Sequence, residues 1–152
     1  MTADIRNCDS LAFRTARSAD LPNVLDLLDR AHLPTAGVAE SLPRFIVAER
    51  EGELVGVAGL EVYGASALLR SVAVEASWRG TGVGRTLIDR ALGQARGAGI
   101  HDIFLLTTTA EHYFPRFGFA CVSRDEVTEE VRASVEFQEA CPASAVVMRK
   151  SL

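Results

Sequence analysis

The fold is decided by residues 71–84, which read SVAVEASWRGTGVG. An apolar, β-rich run at 71–74 ends four residues before Arg79. Three glycines then alternate with Thr81 and Val83 and lead directly into an amphipathic helical pattern. A glycine loop at a helix start exposes backbone N–H groups that lack an intrahelical acceptor, beside the positive end of the helix dipole. The segment therefore predicts a strand, an anion-binding loop and a helix.

Two other phosphate-binding loops can be compared with this one. A Walker loop ends in Gly-Lys followed by Ser or Thr, whereas Gly84 is followed by Arg85-Thr86. A dinucleotide fingerprint requires the spacing GxGxxG and an acidic residue about 20 positions on; here the spacing is GxGxG and residues 104–105 are apolar. Both are excluded. The alternatives left open are a different phosphate site, to which Arg79 and Arg85 would add charge, and a glycine-rich turn without a ligand.

The rest of the chain alternates strand and helix patterns around this segment. Strands are predicted over 11–17, 44–50, 53–62, 67–74, 103–107 and 145–149, and helices over 18–31, 83–97, 112–117 and near 135–141. The strand at 103–107 follows a helix, so we expect it to pair in parallel. The order predicts an α/β fold with a mixed, mostly antiparallel sheet and helices on both faces.

Length and composition bound the class of protein. The 152 residues are 48% hydrophobic and 24% charged, which suits one domain, with 1–10 as a flexible lead-in and 11–152 as the folded unit. The net charge of −4 argues against nucleic acid or an anionic membrane as partner, since phosphates attract a basic surface. Residues 1–10 lack the apolar core of a secretory signal, and no stretch approaches the ~20 apolar residues of a membrane span. We therefore expect a cytoplasmic protein.

The cysteines bear on redox compartment and metal binding. Cys8, Cys121 and Cys141 are an odd number with no CxxC spacing. This pattern indicates unpaired thiols in a reducing compartment. A zinc or arsenic(III) site assembled in space is the alternative, and we predict no resident metal.

The glycine loop and its surroundings resemble a known family. Arg79, Gly82 and Gly84 match the signature Arg/Gln-x-x-Gly-x-Gly/Ala of motif A in the GNAT superfamily of acetyl-CoA-dependent N-acetyltransferases. The Gly-Phe pair at 118–119, after a short aromatic helix, looks like motif B of that family. The resemblance runs over about residues 13–149 in the family's order of elements. It implies a single GNAT-like domain with acetyl-CoA as the acetyl donor.

The resemblance also gives each part of the cofactor a place. The sheet is expected to splay between its fourth and fifth strands, so that the pantetheine arm pairs with an open strand edge. The residues implied in cofactor binding are Val72, Ala73, Val74, Arg79, Gly80, Thr81, Gly82, Val83, Gly84, Arg85, Thr86 and Phe114. Of these, 79–86 would hold the diphosphate and the backbone of 72–74 the pantetheine, while Phe114 would lie by the thioester arm.

Two groups within the superfamily share further motifs with this chain. The threonine run at 107–109 and the triplet at 112–114 are similar to the acetylating domain of N-acetylglutamate synthase. The motifs that resemble ArsN-type arsenic-resistance acetyltransferases are Leu33-Pro34-Thr35, Gly59-Leu60-Glu61, Tyr63-Gly64, Leu69-Arg70-Ser71 and Cys141-Pro142. These likenesses imply a small amine acceptor of amino-acid type, including a glutamate-like antimetabolite or arsenical.

Other activities stay open beside this one. A peptide or protein N-acetyltransferase is the enzymatic alternative, and a non-catalytic CoA-binding sensor is the alternative from another class. Folds of this family often dimerise through their last strands, and the apolar run 145–148 is suited to a homodimer contact.

Four side chains are candidates for the acceptor site and the chemistry. The expected reaction is direct attack of a neutral amine on the thioester carbonyl, which needs positioning, a proton route and an N–H donor to the oxyanion. Simple alternation puts Arg70 on one strand face with 72 and 74, where it would clamp a substrate carboxylate or form an internal ion pair. Glu61 is expected to accept the proton or to pair with Arg70. Thr107 and Thr108 are expected to donate to the acceptor or to cap the next turn.

One position departs from the family pattern. Many GNAT enzymes carry a tyrosine four residues before the glycine of motif B, where its hydroxyl protonates the leaving thiolate. This chain has Phe114 there, with Tyr113 beside it. Pro115 favours an irregular helix that would redirect Tyr113, which is our candidate acid. The alternative is that no side-chain acid is used, since a thiol leaves readily as thiolate.

Overall fold

The computed structural model describes residues 11–134, 137 and 145–152. The predicted lead-in (1–10) and most of the predicted helix near 135–141 lie outside these residues. The described strands are β1 (Ala12–Thr15), β2 (Ile46–Arg50), β3 (Glu53–Tyr63), β4 (Ser66–Val74), β5 (Asp102–Thr107), β6 (Ala120–Val122) and β7 (Val146–Ser151). The described α-helices are α1 (Leu21–Arg30), α2 (Val38–Ser41), α3 (Val83–Gly97) and α4 (Glu129–Arg132).

The strands form one sheet in the order β1-β2-β3-β4-β5-β7-β6. Neighbouring strands pair antiparallel except β4 and β5, which pair in parallel. The turn between β2 and β3 has positive φ at both Glu51 (51°) and Gly52 (85°), the backbone of a tight hairpin whose twist matches the strands. The predicted mixed sheet, its hairpin and its one parallel pair are confirmed.

The sheet parts between β4 and β5, as predicted. These strands pair only over three rows, from Ser66 with Asp102 to Leu68 with Phe104, although β4 continues to Val74. The cause lies in a bulge on the other side of β4, where three steps along that strand match two along β3. Ser71 sits in this bulge with a left-handed φ of 58°. A bulge bends its strand and increases the local twist, which carries β4 away from β5.

The same bulge breaks the side-chain alternation of β4. Arg70 and Ala73 pair with two β3 residues that are two positions apart, so Arg70 and Ala73 lie on one face of the sheet. Val72 and Val74 lie on the other face, packed against the core beneath α3. The sequence prediction that Arg70 shares a face with these valines is therefore wrong, because alternation does not hold across an inserted residue.

Helices cover both faces of the sheet, as predicted. The apolar stripe of α3 packs on one face through Val83, Leu87, Ile88, Ala91, Leu92 and Ala95. On the other face α1 contributes Val24, Leu27 and Leu28 to a second cluster, and α4 contributes Val131 to a third. Gly59 is required beneath the second cluster, since a Cβ there would overlap the ring of Phe45.

The apolar run at 145–148 has a structural explanation within the sheet. β7 lies between β5 and β6, and Val147 and Met148 are 3% and 1% exposed. Their apolar character is therefore used in the core and gives no argument for a homodimer. Cys121 is an exposed free thiol, while Cys8 and Cys141 lie outside the described residues. Within the described ranges, no helix is both long and apolar enough to cross a bilayer.

Candidate active site

A cleft opens where β4 and β5 part. It is a cavity of about 330 Å³ lined by the turn after α1 (32–34), the bulged part of β4 (69–72), the end of β5 with its following turn (105–110), and residues 113–114. Ala145, at the start of the last strand, closes one side. We call this cavity the acceptor cleft. Its volume is at the small end of the range for ligand pockets, about 300–1,000 Å³.

A second, wider cavity of about 670 Å³ lies at the start of α3. We call it the glycine cradle; residues that line it are Val74, Trp78, Arg79, Gly80, Gly82, Val83, Gly84, Arg85, Tyr113, Arg116 and Phe117. Tyr113 lines both cavities, so the acceptor cleft and the glycine cradle meet at this side chain. One elongated molecule can therefore lie in the cradle and reach into the cleft.

The backbone of the cradle suits a diphosphate. Gly80 and Gly82 have left-handed φ values of 77° and 93°, and Gly82 is the residue that precedes the first turn of α3. A Cβ at Gly80 would find no atom within 4 Å, so the loop leaves open space above its backbone. The first N–H groups of a helix lack intrahelical acceptors and attract an anion. Glycine is needed here for both the φ values and the close approach.

Three arginines supply positive charge to the cradle. Arg79 and Arg85 were predicted from the sequence, and Arg116 was missed because it lies far along the chain. The guanidinium of Arg116 stacks over the ring of Tyr113, 4.7 Å from its centroid. Thr81 and Thr86, predicted to bind the cofactor, donate their hydroxyl protons to loop carbonyls, Thr86 to Gly82 at 3.1 Å. In this structure the two threonines stabilise the backbone of the glycine cradle through these hydrogen bonds.

A buried ionic network lies beside the acceptor cleft. The guanidinium of Arg70 donates to Glu61 Oε2 at 2.8 Å, to Ser71 Oγ at 3.0 Å and to the carbonyl of Pro34 at 3.2 Å. The two charged side chains are 0% and 6% exposed. All three nitrogens of Arg70 thus donate to protein groups. The internal ion pair that the sequence allowed is present, and a carboxylate clamp finds no support in this arrangement.

Glu61 is also fully engaged. Its second carboxylate oxygen accepts from the hydroxyl of Tyr63. Burial and this hydrogen bond to Glu61 raise the pKa of the Tyr63 hydroxyl above its ordinary value, so the proton stays on the tyrosine. Glu61 lines a separate small cavity with Glu40 and Arg44 rather than the acceptor cleft. The predicted role of Glu61 as proton acceptor therefore has no geometric support.

The threonines after β5 face the acceptor cleft. Thr107 Oγ1 accepts hydrogen bonds from the N–H groups of Thr109 (3.3 Å) and Ala110 (2.9 Å), so it caps the turn as one prediction had it. A hydroxyl has two acceptor lone pairs and one donor, and both lone pairs of Thr107 are used. Its proton is left to donate, which is the other predicted use. Thr108 also lines the cleft.

The aromatic segment has the irregular form that Pro115 suggested. Phe114–Phe117 is a short 3₁₀ turn rather than an α-helix. Phe114 is 8% exposed and packs edge-on against Phe119, with ring centroids 5.8 Å apart, while it also lines the cleft. Tyr113 is half-buried between the cavities, and a Cβ on Gly84 would lie 3.4 Å from its hydroxyl oxygen. The only tyrosine of this segment thus meets the cradle at the start of α3.

Comparison with known proteins identifies the class. Residues 41–121 match the family described as acetyltransferase (GNAT) domain. A Mycobacterium tuberculosis protein named amino-acid acetyltransferase is 33% identical over 153 aligned positions, which cover 93% of this chain and 83% of that protein. A protein of the same name from Ralstonia nicotianae is 31% identical over 72% of this chain, and the aligned part is 24% of that longer protein.

Solved structures of related proteins share the fold of this chain. Rv2747 from Mycobacterium tuberculosis, in complex with CoA and a second ligand, gives a TM-score of 0.79 at 27% identity and covers 93% of this chain and 99% of its own. N-acetylglutamate synthase from Neisseria gonorrhoeae, complexed with coenzyme A and N-acetyl-glutamate, gives 0.81 at 24% identity over 93% of this chain and 35% of its own, a likeness of fold alone.

The chain belongs to the GNAT family of acetyltransferases. The predicted family, the enzyme class and the use of acetyl-CoA as donor are confirmed. The match of motif A carried that prediction, because a glycine loop is contiguous in sequence. Leu33-Pro34-Thr35 was noted only as a motif shared with the ArsN-type enzymes, and its place on the acceptor cleft was not predicted, because the turn reaches the cleft from a distant part of the chain.

Proposed function

We propose that this acetyltransferase transfers the acetyl group of acetyl-CoA to the amino group of a small, amino-acid-like acceptor. The observation that carries the proposal is the meeting of the two cavities at Tyr113. A donor held by its diphosphate in the glycine cradle would extend along the open edge of β4 into the acceptor cleft. An acceptor in the cleft would then face the acetyl group.

The acceptor class rests on the relatives and on the size and chemistry of the cleft. Relatives of the chain are named amino-acid acetyltransferase, at 33% and 31% identity. The cleft of about 330 Å³ suits a small molecule. Its polar lining includes the hydroxyls of Thr107, Thr108 and Thr109, which can donate to a carboxylate. A peptide acceptor would need a longer open groove.

Each part of the chain has a role in the proposed reaction. Acetyl-CoA supplies an acetyl thioester as the group to be transferred. Arg79, Arg85 and the N–H groups at the start of α3 would bind the diphosphate. The backbone of Val72–Val74, unpaired on its β5 side, would satisfy the amides of the pantetheine arm. A backbone N–H near Val72 would stabilise the oxyanion.

Tyr113 is proposed as the acid that protonates the leaving thiolate. Its hydroxyl lies at the junction of the two cavities, where the thioester would be. Tyr113→Phe is expected to lower kcat by about 10- to 100-fold, with KM for acetyl-CoA nearly unchanged. A positioned general acid typically contributes about 100-fold or more, and a thiolate needs less of this help than most leaving groups. The measurement is steady-state thiol release. An unchanged kcat would mean that the thiolate leaves without a side-chain acid.

The cradle can be tested apart from the acceptor. Gly82→Glu should weaken CoA binding by about 100-fold or more. Any side chain is strained at the left-handed φ of Gly82, and the glutamate carboxylate would also repel the diphosphate from its site. Gly93→Glu is the matched control, since Gly93 lies on the exposed side of α3 and a Cβ there meets nothing within 4 Å. Titration calorimetry with CoA gives the affinities. Equal affinities for the two variants would refute the cradle.

The acceptor is tested by thiol release from acetyl-CoA across a panel of amines. The panel holds the common amino acids, short peptides, and phosphinothricin, which the ArsN-type motifs suggest as a glutamate-like acceptor; its arsenic analogue would test the arsenic-resistance role. We expect turnover with one or a few free amino acids or their analogues. Turnover with peptides alone would favour the peptide N-acetyltransferase. Tight CoA binding without turnover of any amine would favour the non-catalytic sensor.

A further inference from the structure

The second residue after α1 has a backbone conformation that most side chains disfavour. His32 has a left-handed φ of 59°. Its N–H donates to Asp29 and that of Leu33 donates to Leu28, both at 3.0 Å, which is the Schellman arrangement that ends a helix. Glycine or asparagine is usual at this position, because other side chains clash there. Histidine is tolerated there more often than most other residues, so the backbone alone does not assign it a role.

The position of His32 at the acceptor cleft gives a functional reason for a histidine here. His32 is exposed and lines the acceptor cleft, which the end of β5 and Tyr113 also line. Imidazole is the side chain that most often serves as a general base in enzymes. Of the titratable side chains that the structure describes in this cleft, Arg70 is a permanent cation and Tyr113 is a phenol. Glu61, the other predicted base, lines a different cavity with both oxygens occupied.

We propose that His32 is the proton acceptor for the acceptor's amino group, an inference that rests on the acetyl transfer proposed above. An amino acid enters the cleft largely as an ammonium ion. His32 takes one of its protons, and the neutral nitrogen forms a C–N bond to the acetyl carbonyl. The C–S bond then breaks, and a second proton from the same nitrogen passes to the thiolate, directly or through Tyr113. The imidazolium returns its proton to solvent at the mouth of the cleft.

The network around Arg70 gives this base a fixed position. Arg70 donates to the carbonyl of Pro34 at 3.2 Å, two residues beyond His32. The Schellman hydrogen bonds hold the other side of the same turn. The turn is therefore tied to both α1 and β4. Arg70 acts here as a positioning residue through the backbone, and Glu61 keeps its guanidinium in place.

The pH dependence has a definite sign. A base must be unprotonated to act, so kcat/KM should be lower at acidic pH than at neutral pH. Charged or titratable groups near His32 are Arg70 with its partner Glu61 and Tyr113 in the cleft, and Asp29 and Arg30 at the end of α1. Loss of the acidic limb of the profile in a His32 variant would identify the titrating group.

The test uses substitutions that are compatible with the left-handed backbone conformation at position 32. His32→Asn and His32→Gly should keep or raise Tm, because both residues favour the left-handed region. CoA affinity should be unchanged, kcat should fall by about 100-fold, and the acidic limb should disappear. Added imidazole should restore part of the activity of His32→Gly. His101→Asn, at an exposed position before β5, is the matched control and should behave as the wild type.

The outcomes separate the two proposals. If the wild-type protein acetylates an amine and His32→Asn does so with the same kcat and pH profile, His32 is not the base and the acetyl transfer stands. A fall in kcat together with lost CoA affinity or lowered Tm would assign His32 a structural role and overturn the base. If the wild type acetylates no amine, both proposals fail.

Discussion

Two clusters in the sheet each pair an arginine with carboxylates, and they differ in how deeply these side chains are buried. Arg14 on β1 donates to Asp20 at 2.7 Å and to Glu49 on β2 at 3.1 Å, and these side chains are 11–22% exposed. Arg70 on β4 donates to Glu61 on β3 at 2.8 Å, with both side chains at 6% exposure or less. Each cluster joins neighbouring strands. The second also borders the acceptor cleft.

The difference in burial changes what each cluster contributes. A water-accessible ion pair contributes about 0–1 kcal/mol, and the Arg14 cluster is explained by its links between β1, β2 and the turn before α1. A buried pair must repay the cost of removing two charges from water, and a well-packed apolar pair is often as stable. Stability alone therefore does not explain Arg70 and Glu61. The hydrogen bond that Arg70 donates to the carbonyl of Pro34, on the wall of the cleft, gives a functional explanation.

The largest expected effect separates the two clusters by stability. Arg70→Met should lower the free energy of unfolding by about 3–5 kcal/mol, because it leaves the carboxylate of Glu61 buried without its partner. Arg14→Met should lower it by only about 1 kcal/mol, since water can reach its former partners. Urea denaturation at pH 7 measures both. Similar losses in the two variants would show that burial does not distinguish the clusters.

A double variant sharpens the same comparison. Arg70→Met combined with Glu61→Leu removes both buried charges and should recover most of the stability lost by Arg70→Met alone. CoA affinity should be that of the wild type, whereas kcat/KM for the acceptor should stay low, because the turn that carries His32 has lost its tie to β4. A stable double variant with full acceptor turnover would remove the positioning role from Arg70.

The sequence predicted the parts of this molecule that are local in the chain. Gly82 and the stripe of α3 lie within one contiguous segment, so the cradle and the parting of β4 from β5 could be predicted together through the family resemblance. The bulge could not be predicted, because Ser71 has the left-handed φ without being glycine. That one inserted residue moved Arg70 to the other face and away from the predicted clamp.

The cleft between β4 and β5 was predicted with Thr107 and Thr108 beside it, but one of its walls was not, for a related reason. The wall at 32–34 comes from a helix end that lies far before Ser66, the first residue of β4, and simple patterns do not show which helix end will reach a distant strand. Glu61 stood out correctly as a carboxylate in an apolar strand, but its engagement by Arg70 and Tyr63 depends on register across two strands. Titratable residues were thus identified from the sequence more readily than the hydrogen bonds that determine whether they are available for catalysis.

The smallest expected effect tests the partly buried Arg14 cluster through pH. The guanidinium of Arg14, with a smaller contribution from the N–H of Arg17, lowers the pKa of Asp20 from 3.8 to about 2. A lowered pKa means that the ionised carboxylate stabilises the folded state above pH 3.8, and that this stabilisation is lost as the pH falls from there towards 2. Asp20→Asn should therefore cost about 1 kcal/mol at pH 7, in line with Arg14→Met, and its deficit should shrink below about pH 4.

Asp26→Asn is the matched control for this titration. Asp26 pairs with Arg30 on the exposed side of α1, with side chains 67% and 55% exposed, so its loss should cost about 0.5 kcal/mol or less. Urea denaturation at pH 7 and at pH 3 gives the four values needed. A deficit for Asp20→Asn that is the same at both pH values would mean that the carboxylate acts through its shape and hydrogen bonds rather than its charge. The Arg14 cluster would then differ from the Arg70 cluster in kind as well as in depth.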